Sequence, residues 1–254
     1  MQTTASRLPR ISTPLTTKLE RSVLLSTEEI DLLAQLQVPM RTIRHNQQLI
    51  KEGLKYNEIF VLLNGIAIRY RVLNDRRRQI LNIVLPGDFI GFPACFFESA
   101  LFSVGALTEI QVSSVPIAQL LALFEQHRRV AALLLWQFSC EAAMYAEHIV
   151  ELGQRSAVQR VAHFLLEILT RLRAIGLAEE HSYSMPLTQE LIGEVLGLSA
   201  AHINRSLRQL REEGLVTIKA QNVVIRDFAG LSEVAEFETS YIDRFRINEA
   251  LATE

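Results

Sequence analysis

Cysteine is scarce in this chain. Its two cysteines, Cys95 and Cys140, lie far apart and outside any CxxC spacing, which excludes a disulfide framework and a cysteine-rich metal site and points to a reducing, cytoplasmic setting. An uninterrupted apolar run of membrane length is also missing. The nearest, VAALLLWQFSCEAAMYAEHIV at 130–150, holds Glu141 and Glu147, and one charge at the centre of a membrane helix costs ~2.5–3.5 kcal/mol, so no membrane partner is expected. The first residues, MQTTASRLPRISTPL, lack an apolar signal core; their Ser, Thr and Pro content predicts a mobile arm over 1–25. Catalytic patterns are absent as well: there is no HExxH, no GxxxxGK loop and no nucleophile–base spacing, so an enzyme is not expected. No cofactor and no metal ligands are assigned. What remains is a chain of 254 residues, about half apolar, with a net charge of -2, long enough for one large or two ordinary globular domains.

Ser26-Thr27-Glu28-Glu29 has capping-box spacing and predicts a short helix through about Leu36. From Thr42 to about Val115 the texture changes to brief apolar runs such as EIFVLLNG and QILNIVLPGD. Many short strands with turn residues between them indicate an antiparallel roll over 26–128. Gly53, Asn64-Gly65, Asn74-Asp75 and Pro86-Gly87-Asp88 are its predicted corners. Residues 116–152 then read as helix, with Leu135, Ala142 and Ile149 seven apart and Phe138, Tyr145 and Leu152 likewise. Such a heptad seam serves either packing on its own domain or a two-helix dimer. Its reach beyond what one roll covers favours a dimerisation helix at 129–153, with a domain boundary near Gly153. The next helix, SAVQRVAHFLLEILTRLRA, leads to a loop at about 176–184.

LTQELIGEVLGLSAAHINRSLRQLREEGLV, 187–216, reads as two short helices around a glycine. Thr188 caps the first, Gly197 breaks it, Leu198 plugs the turn and Ser199 caps the second. Ile203, Leu207 and Leu210 recur at i, i+4, i+7 and point inward. At 100° per residue, Ala201, Arg205, Arg208 and Glu212 share the opposite side. Residues 199–226 carry five basic and two acidic side chains within a chain that totals -2. A helix-turn-helix with a small, cationic outer face suits the DNA major groove. VTIKAQNVVIRD alternates like a hairpin with Gln221-Asn222 at its tip, the wing of such a domain at 154–229.

These residues carry a resemblance. LTQELIGEVLGLSAAHINRSLRQLREEGLV resembles the winged helix-turn-helix of the Crp/Fnr superfamily, and Gly87-Asp88-Phe89-Ile90-Gly91 resembles its roll motif, the likeness running from about 27 to 228. It implies an α+β fold: an N-terminal antiparallel β-roll of the cyclic-nucleotide-binding type, a long dimerisation helix and a C-terminal winged helix-turn-helix. The function implied is that of a homodimeric bacterial transcription regulator, with double-stranded DNA bearing an inverted repeat and RNA polymerase as partners. The DNA-contacting set is then Thr188, Gln189, Ser199, Ala200, Ala201, His202, Asn204, Arg205, Arg208 and Lys219. Arg205 matches the family's base-reading arginine and can bond guanine O6 and N7. Ala201 stands where the family often has glutamate, so its best-known operators are not carried over. His202 and Asn204 are open to base or phosphate, while Arg208 and Lys219 are expected on phosphates.

The sensor departs further. Cyclic-nucleotide-binding members hold the ribose with a glutamate and the phosphate with an Arg-Ser pair; those positions here are Phe92 and Phe102-Ser103. A cyclic phosphate would lose its charge-assisted partner, so the effector is not expected to be a cyclic nucleotide in the usual mode. Gly91, Phe92, Phe96, Phe97, Phe102 and Ser103 are the candidate pocket, or else the phenylalanines simply fill the roll. An iron–sulfur sensor needs four cysteines, mostly N-terminal, and is excluded. Alternatives are a cyclic-nucleotide, haem or redox sensor with an altered pocket; His45, His127 and His148 are the available axial histidines, and Cys140 near the seam is either an oxidant-sensitive thiol or a small buried hydrophobe. Beyond the reading domain, Leu231, Val234, Phe237, Tyr241 and Phe245 keep a helical spacing in an extension over 230–254, expected to dock on that domain.

Overall fold

The computed structural model describes residues 13–92 and 94–238. The described residues begin with α1 (Pro14–Glu20) and α2 (Thr27–Gln35). Eight strands follow: β1 (Met40–Ile43), β2 (Gln48–Ile50), β3 (Glu58–Asn64), β4 (Ala67–Val72), β5 (Arg78–Val84), β6 (Phe89–Ile90), β7 (Ser103–Ala106) and β8 (Ile110–Pro116). They form two four-stranded antiparallel sheets, ordered β1-β8-β3-β6 and β2-β7-β4-β5. Crossing of the chain between sheets, rather than a simple meander, makes the expected roll. Its interior is apolar: Ile50, Phe60, Leu62, Ile90, Val104, Ile110 and Val112 are buried between the sheets.

The mobile arm expected at 1–25 is corrected from residue 13 onward. Thr13 and Thr16 form a capping box, proline sits in the first turn of α1, and Leu15 and Leu19 are fully buried. An i, i+4 leucine pair on a capped turn has an apolar face to bury, and α1 packs it against α2 and β3. Lys18 of α1 pairs with Asp88 at the roll corner. The capping box read at Ser26 is present, Glu29 accepting from the Ser26 amide at 2.7 Å.

The helical stretch at 116–152 is two helices, α3 (Ile117–Gln126) and α4 (Arg128–Gln154). They are parted at His127, whose φ of -130° and ψ of 78° leave the helical region. After a two-residue joint, capped by Ser156, come α5 (Ala157–Ala174), β9 (Ser182–Ser184), α6 (Gln189–Leu196), α7 (Ala200–Glu212), β10 (Val216–Lys219), β11 (Asn222–Ile225) and α8 (Phe228–Ala235). The loop expected at 176–184 contributes a strand, because β9 pairs with β11 through Tyr183↔Val223 and buries Tyr183. The wing tip is one residue earlier than read: Lys219 pairs with Asn222, leaving Ala220 and Gln221 at the turn.

Helix α8 buries Leu231 and Ala235 and packs on α5, so the first residues of the expected extension lie on the reading domain. Val234 and Phe237 are half-buried against the same core. Tyr241 and Phe245 lie outside the described residues. That core does not stop at the reading domain. It continues onto the outer face of β4 and β5 through Ile68, Tyr70, Ile80 and Ile83, so the roll and the reading domain share one apolar contact. Across it Arg78 pairs with Glu194 at 2.5 Å and the Gln79 amide donates to the Val195 carbonyl at 3.0 Å.

Candidate nucleic-acid interface and sensor cavity

The two reading helices are set by local chemistry. The Thr188 hydroxyl accepts from the Leu191 amide at 3.1 Å and starts α6. Gly197 ends it with φ 62°, a left-handed conformation that disfavours any residue with a Cβ. The Ser199 hydroxyl then accepts from the His202 amide at 3.4 Å and starts α7. One tight requirement escapes the reading of capping and turn residues: a Cβ on Gly193 would lie 2.5 Å from the Leu198 carbonyl oxygen. The turn between the helices passes directly over that position. The sequence signal was available, since a glycine three residues into an apolar helical stripe is costly unless a backbone lies close.

Ile203, Leu207 and Leu210 are buried as expected, and Ser206 joins them at 2% exposure. Ala200, Ala201, His202, Asn204, Arg205 and Arg208 are all exposed on α7, and Lys219 is exposed on the wing. Their circumstances differ. Arg205 makes no hydrogen bond or ion pair to the described residues. Arg208 is bound to Glu212 one turn on at 2.7 Å. His202 Nδ1 lies 2.8 Å from the Ser199 hydroxyl, and the Asn204 amide donates to Gln189 across the two helices at 3.4 Å. Gln189, Ala200, Ala201, Asn204, Arg205 and Arg208 thus surround one shallow depression.

The seam residues on α4 divide. Leu135, Ala142, Ile149 and Leu152 are exposed in the single chain, with Ile149 71% open. Phe138 and Tyr145 turn toward their own roll. The Phe138 ring stacks on Phe92 with centroids 3.4 Å apart, and the Tyr145 hydroxyl accepts from Arg69.

Between β4, β5, α4, α5 and α6 lies a cavity of about 520 Å³. Of the six pocket candidates it brings together Phe92 and Phe102 only. Phe96 and Phe97 are each 52% exposed, Ser103 is buried and accepts from the Glu52 amide at 3.1 Å, and Gly91 backs onto Ile50 and Phe60 inside the roll. The expectation of a phenylalanine-lined pocket is corrected accordingly. Consecutive phenylalanines in a short loop cannot all face one way, and the cavity wall is completed instead by apolar side chains from other elements, among them Ile80, Phe138, Phe164 and Val195, with a few charged ones set among them.

The first is Arg69, 2% exposed. Its guanidinium donates to Glu141 and Tyr145 and lies 4.8 Å from the Phe102 ring centroid. Burial would lower its pKa, but the interactions with Glu141 and Tyr145 together outweigh that and raise it. Burial pushes the Tyr145 hydroxyl up to about 12, so it stays protonated. Lower in the cavity His148 Nε2 sits 2.7 Å from Glu167. Burial opposes ionisation of Glu167, yet the His148 and Arg171 charges bring its carboxyl down to about 2. Arg171 donates to Glu167 at 3.1 Å, to the Ile83 carbonyl at 2.6 Å and to Asp88 at 3.1 Å. Arg69 was legible as an anomaly: strand alternation puts it on the inner face with Ala67, an arginine at a core position.

Residues 159–234 match the Crp-like helix-turn-helix domain and residues 40–127 the cyclic nucleotide-binding domain. The transcriptional activatory protein AadR of Rhodopseudomonas palustris is 30% identical over 205 residues, which is 79% of this chain and 81% of that protein. The chain belongs to the Crp/Fnr family of transcription regulators. The transcriptional activator protein FnrL of Cereibacter sphaeroides is 27% identical over 213 residues, 82% of this chain and 85% of that one. Among solved structures, FixK2 from Bradyrhizobium japonicum superposes with a TM-score of 0.70 at 27% identity, over 77% of this chain and 96% of that one.

Two groups known in this Crp/Fnr family can be tested against the residues present. A cyclic nucleotide does not fit in the usual mode. The buried guanidinium in the cavity, Arg69, is already engaged by Glu141 and Tyr145 and covered by Phe102, and a phosphate would have to displace a carboxylate from it. A four-thiolate iron–sulfur cluster does not fit a chain with two cysteines. Those two are separate, and burial pushes the Cys140 thiol up to about 11, away from the thiolate form that reacts. Among the described residues no helix is long and apolar enough to cross a membrane.

Proposed function

We propose that this Crp/Fnr regulator acts in the cytoplasm as a homodimer whose two α7 helices read an inverted-repeat operator and whose bound form engages RNA polymerase. The observation that carries the reading is Arg205. A cation held out from a capped helix with no internal partner has its donor fork available for guanine, a contact worth ~1–3 kcal/mol of base discrimination. Ala201 offers a methyl contact to a neighbouring thymine, and Asn204, tethered to Gln189, reaches the adjoining base or phosphate. Thr188, Gln189, Ser199 and Ala200, at the two helix starts, face the sugar–phosphate backbone. Arg208 and Lys219 add phosphate contacts, Arg208 in competition with Glu212.

The dimer rests on α4. Leu135, Ile149 and Leu152 form an apolar stripe open to solvent in the single chain, and a two-fold axis along it closes that stripe and sets the reading helices ~34–36 Å apart. The effector is not a cyclic nucleotide in the usual mode.

Selection of bound sequences from a random DNA pool, at fixed salt, tests the reading. Recovery of an inverted repeat with half-sites one helical turn apart supports it; enrichment of a single half-site or of nothing by folded protein counts against it. Sedimentation supplies the second arm. Ile149→Glu places a charge on each side of the axis and should shift the dimer toward monomer, together with a loss of operator affinity.

A further inference from the structure

We propose that His148, Glu151 and Glu167 form a binding site for a divalent first-row transition-metal ion that clamps α4 to α5. No metal ligand was assigned from the sequence, because these residues lie on two helices and match no spacing motif. The folded chain gathers them at the lower end of the cavity. One donor atom from each of the three lies within 4.8 Å of the other two, and all three line the 520 Å³ space. Ligands bound at ~2.0–2.2 Å from a common ion sit at most ~4.4 Å apart, so small side-chain rotations close the set.

The chemistry of the donors selects the ion. One imidazole nitrogen with two carboxylates suits zinc, iron(II), cobalt(II) or manganese(II), whereas magnesium and calcium prefer oxygen alone. Three protein ligands leave further positions facing the cavity for water. The outer layer is in place as well. The other oxygen of Glu167 accepts from Arg171 at 3.1 Å, and Glu151 lies against His163 Nδ1 and 3.5 Å from Arg155. Ligating carboxylates held in this way are oriented before the ion arrives.

Local charge favours a cation too. Glu147, Glu151 and Glu167 outnumber the arginines that answer them, Arg155 and Arg171, and have the imidazoles of His148 and His163 as their other partners. An ion at His148 Nε2 would take the place of that nitrogen's direct contact with Glu167. His148 and Glu151 end the helix that carries the proposed dimer seam; Glu167 belongs to the first helix of the reading domain. The joint between them is two residues long. A metal ion there would fix the angle at which each α7 is presented, a consequence that rests on the proposed function, whereas the site itself does not.

The test uses the full-length chain stripped with a chelator and titrated with cobalt(II), read by visible absorption, and with zinc against a chromophoric indicator. One equivalent per chain is expected, with His148→Ala and Glu167→Gln each raising Kd at least tenfold while Glu194→Gln, outside the cluster, leaves it unchanged. Circular dichroism checks that the variants fold. Should either variant misfold, the wild-type cobalt spectrum decides, because mixed nitrogen and oxygen ligation at low coordination absorbs far more strongly than the aqueous ion. Absence of saturable uptake, or uptake unchanged in both folded variants, overturns the site. Operator affinity with and without zinc then tests the clamp: a shift of fivefold or more supports it, and equal affinity with the site filled overturns the coupling alone. Failure to find any operator would sink the proposed function and leave the metal titration untouched.

Discussion

Arginine is used in opposite ways at the two ends of this molecule. On α7, Arg205 stands in water with no partner among the described residues. Around the cavity, Arg69 and Arg171 are 2% and 8% exposed and tied to Glu141, Glu167 and Asp88. The exposed cation adds little to folding but keeps its charge available for a polyanion; the buried ones have spent theirs on holding roll, α4 and α5 together. A charge that has lost its water must be answered inside the protein, while one that keeps its water can be lent to a ligand.

Breaking the buried half should cost most. Asp88→Ala leaves Arg171 and Lys18 short of a partner and should lower stability by about 3–5 kcal/mol in urea unfolding, the usual effect of removing one member of a buried pair. The same carboxylate sets an acid limit. Burial raises the Asp88 pKa, but Lys18 and Arg171 outweigh that and bring it below the ordinary value of 3.8. A depressed folded pKa contributes stability above pH 3.8 that fades as the pH falls through the folded value. Asp88→Asn should therefore be less stable at neutral pH and lose less on acidification below about pH 4, measured by unfolding across pH.

Gly193→Val comes next. The added side chain meets the Leu198 carbonyl at the turn, and the shift it forces should cost about 1–3 kcal/mol and weaken binding to every sequence equally. Arg205→Ala is expected to leave the unfolding midpoint within about 0.5 kcal/mol and to relax the choice at one base pair per half-site by ~1–3 kcal/mol. Uniform loss across sequences would show that Arg205 touches phosphate instead. Smallest of all, Arg78→Ala removes the half-exposed pair with Glu194 and should change stability by no more than about 1 kcal/mol. A larger loss would mean that the contact between roll and reading domain depends on that pair more than on its apolar core.

The reading helices were legible because their determinants are local. Thr188, Gly197 and Ser199 act on backbone atoms within a few residues, and Ile203, Leu207 and Leu210 declare one face by spacing alone. The roll was legible as a class for a similar reason: short apolar strands between turn residues need one another's edges. Helix α1 was missed because a seven-residue helix carries only one leucine pair, and its worth appears only against α2 and β3. The pocket was misread because aromatic loop residues announce apolarity but not direction, so Phe92 and Phe102 turn in while Phe96 and Phe97 turn out.

Glu141 marks the boundary between the two kinds of knowledge. By itself the sequence determined that this charge rules out a membrane span, that a capped cationic helix follows a glycine turn, and that two cysteines cannot hold a four-thiolate cluster. Only the tertiary structure decided that Glu141 meets Arg69, that His148 and Glu151 meet Glu167 across a two-residue joint, and that β5 lies against α6. Caps, turns and helical stripes are written in neighbouring residues. Ion pairs and donor clusters form between segments tens of residues apart, and their partners are chosen by packing.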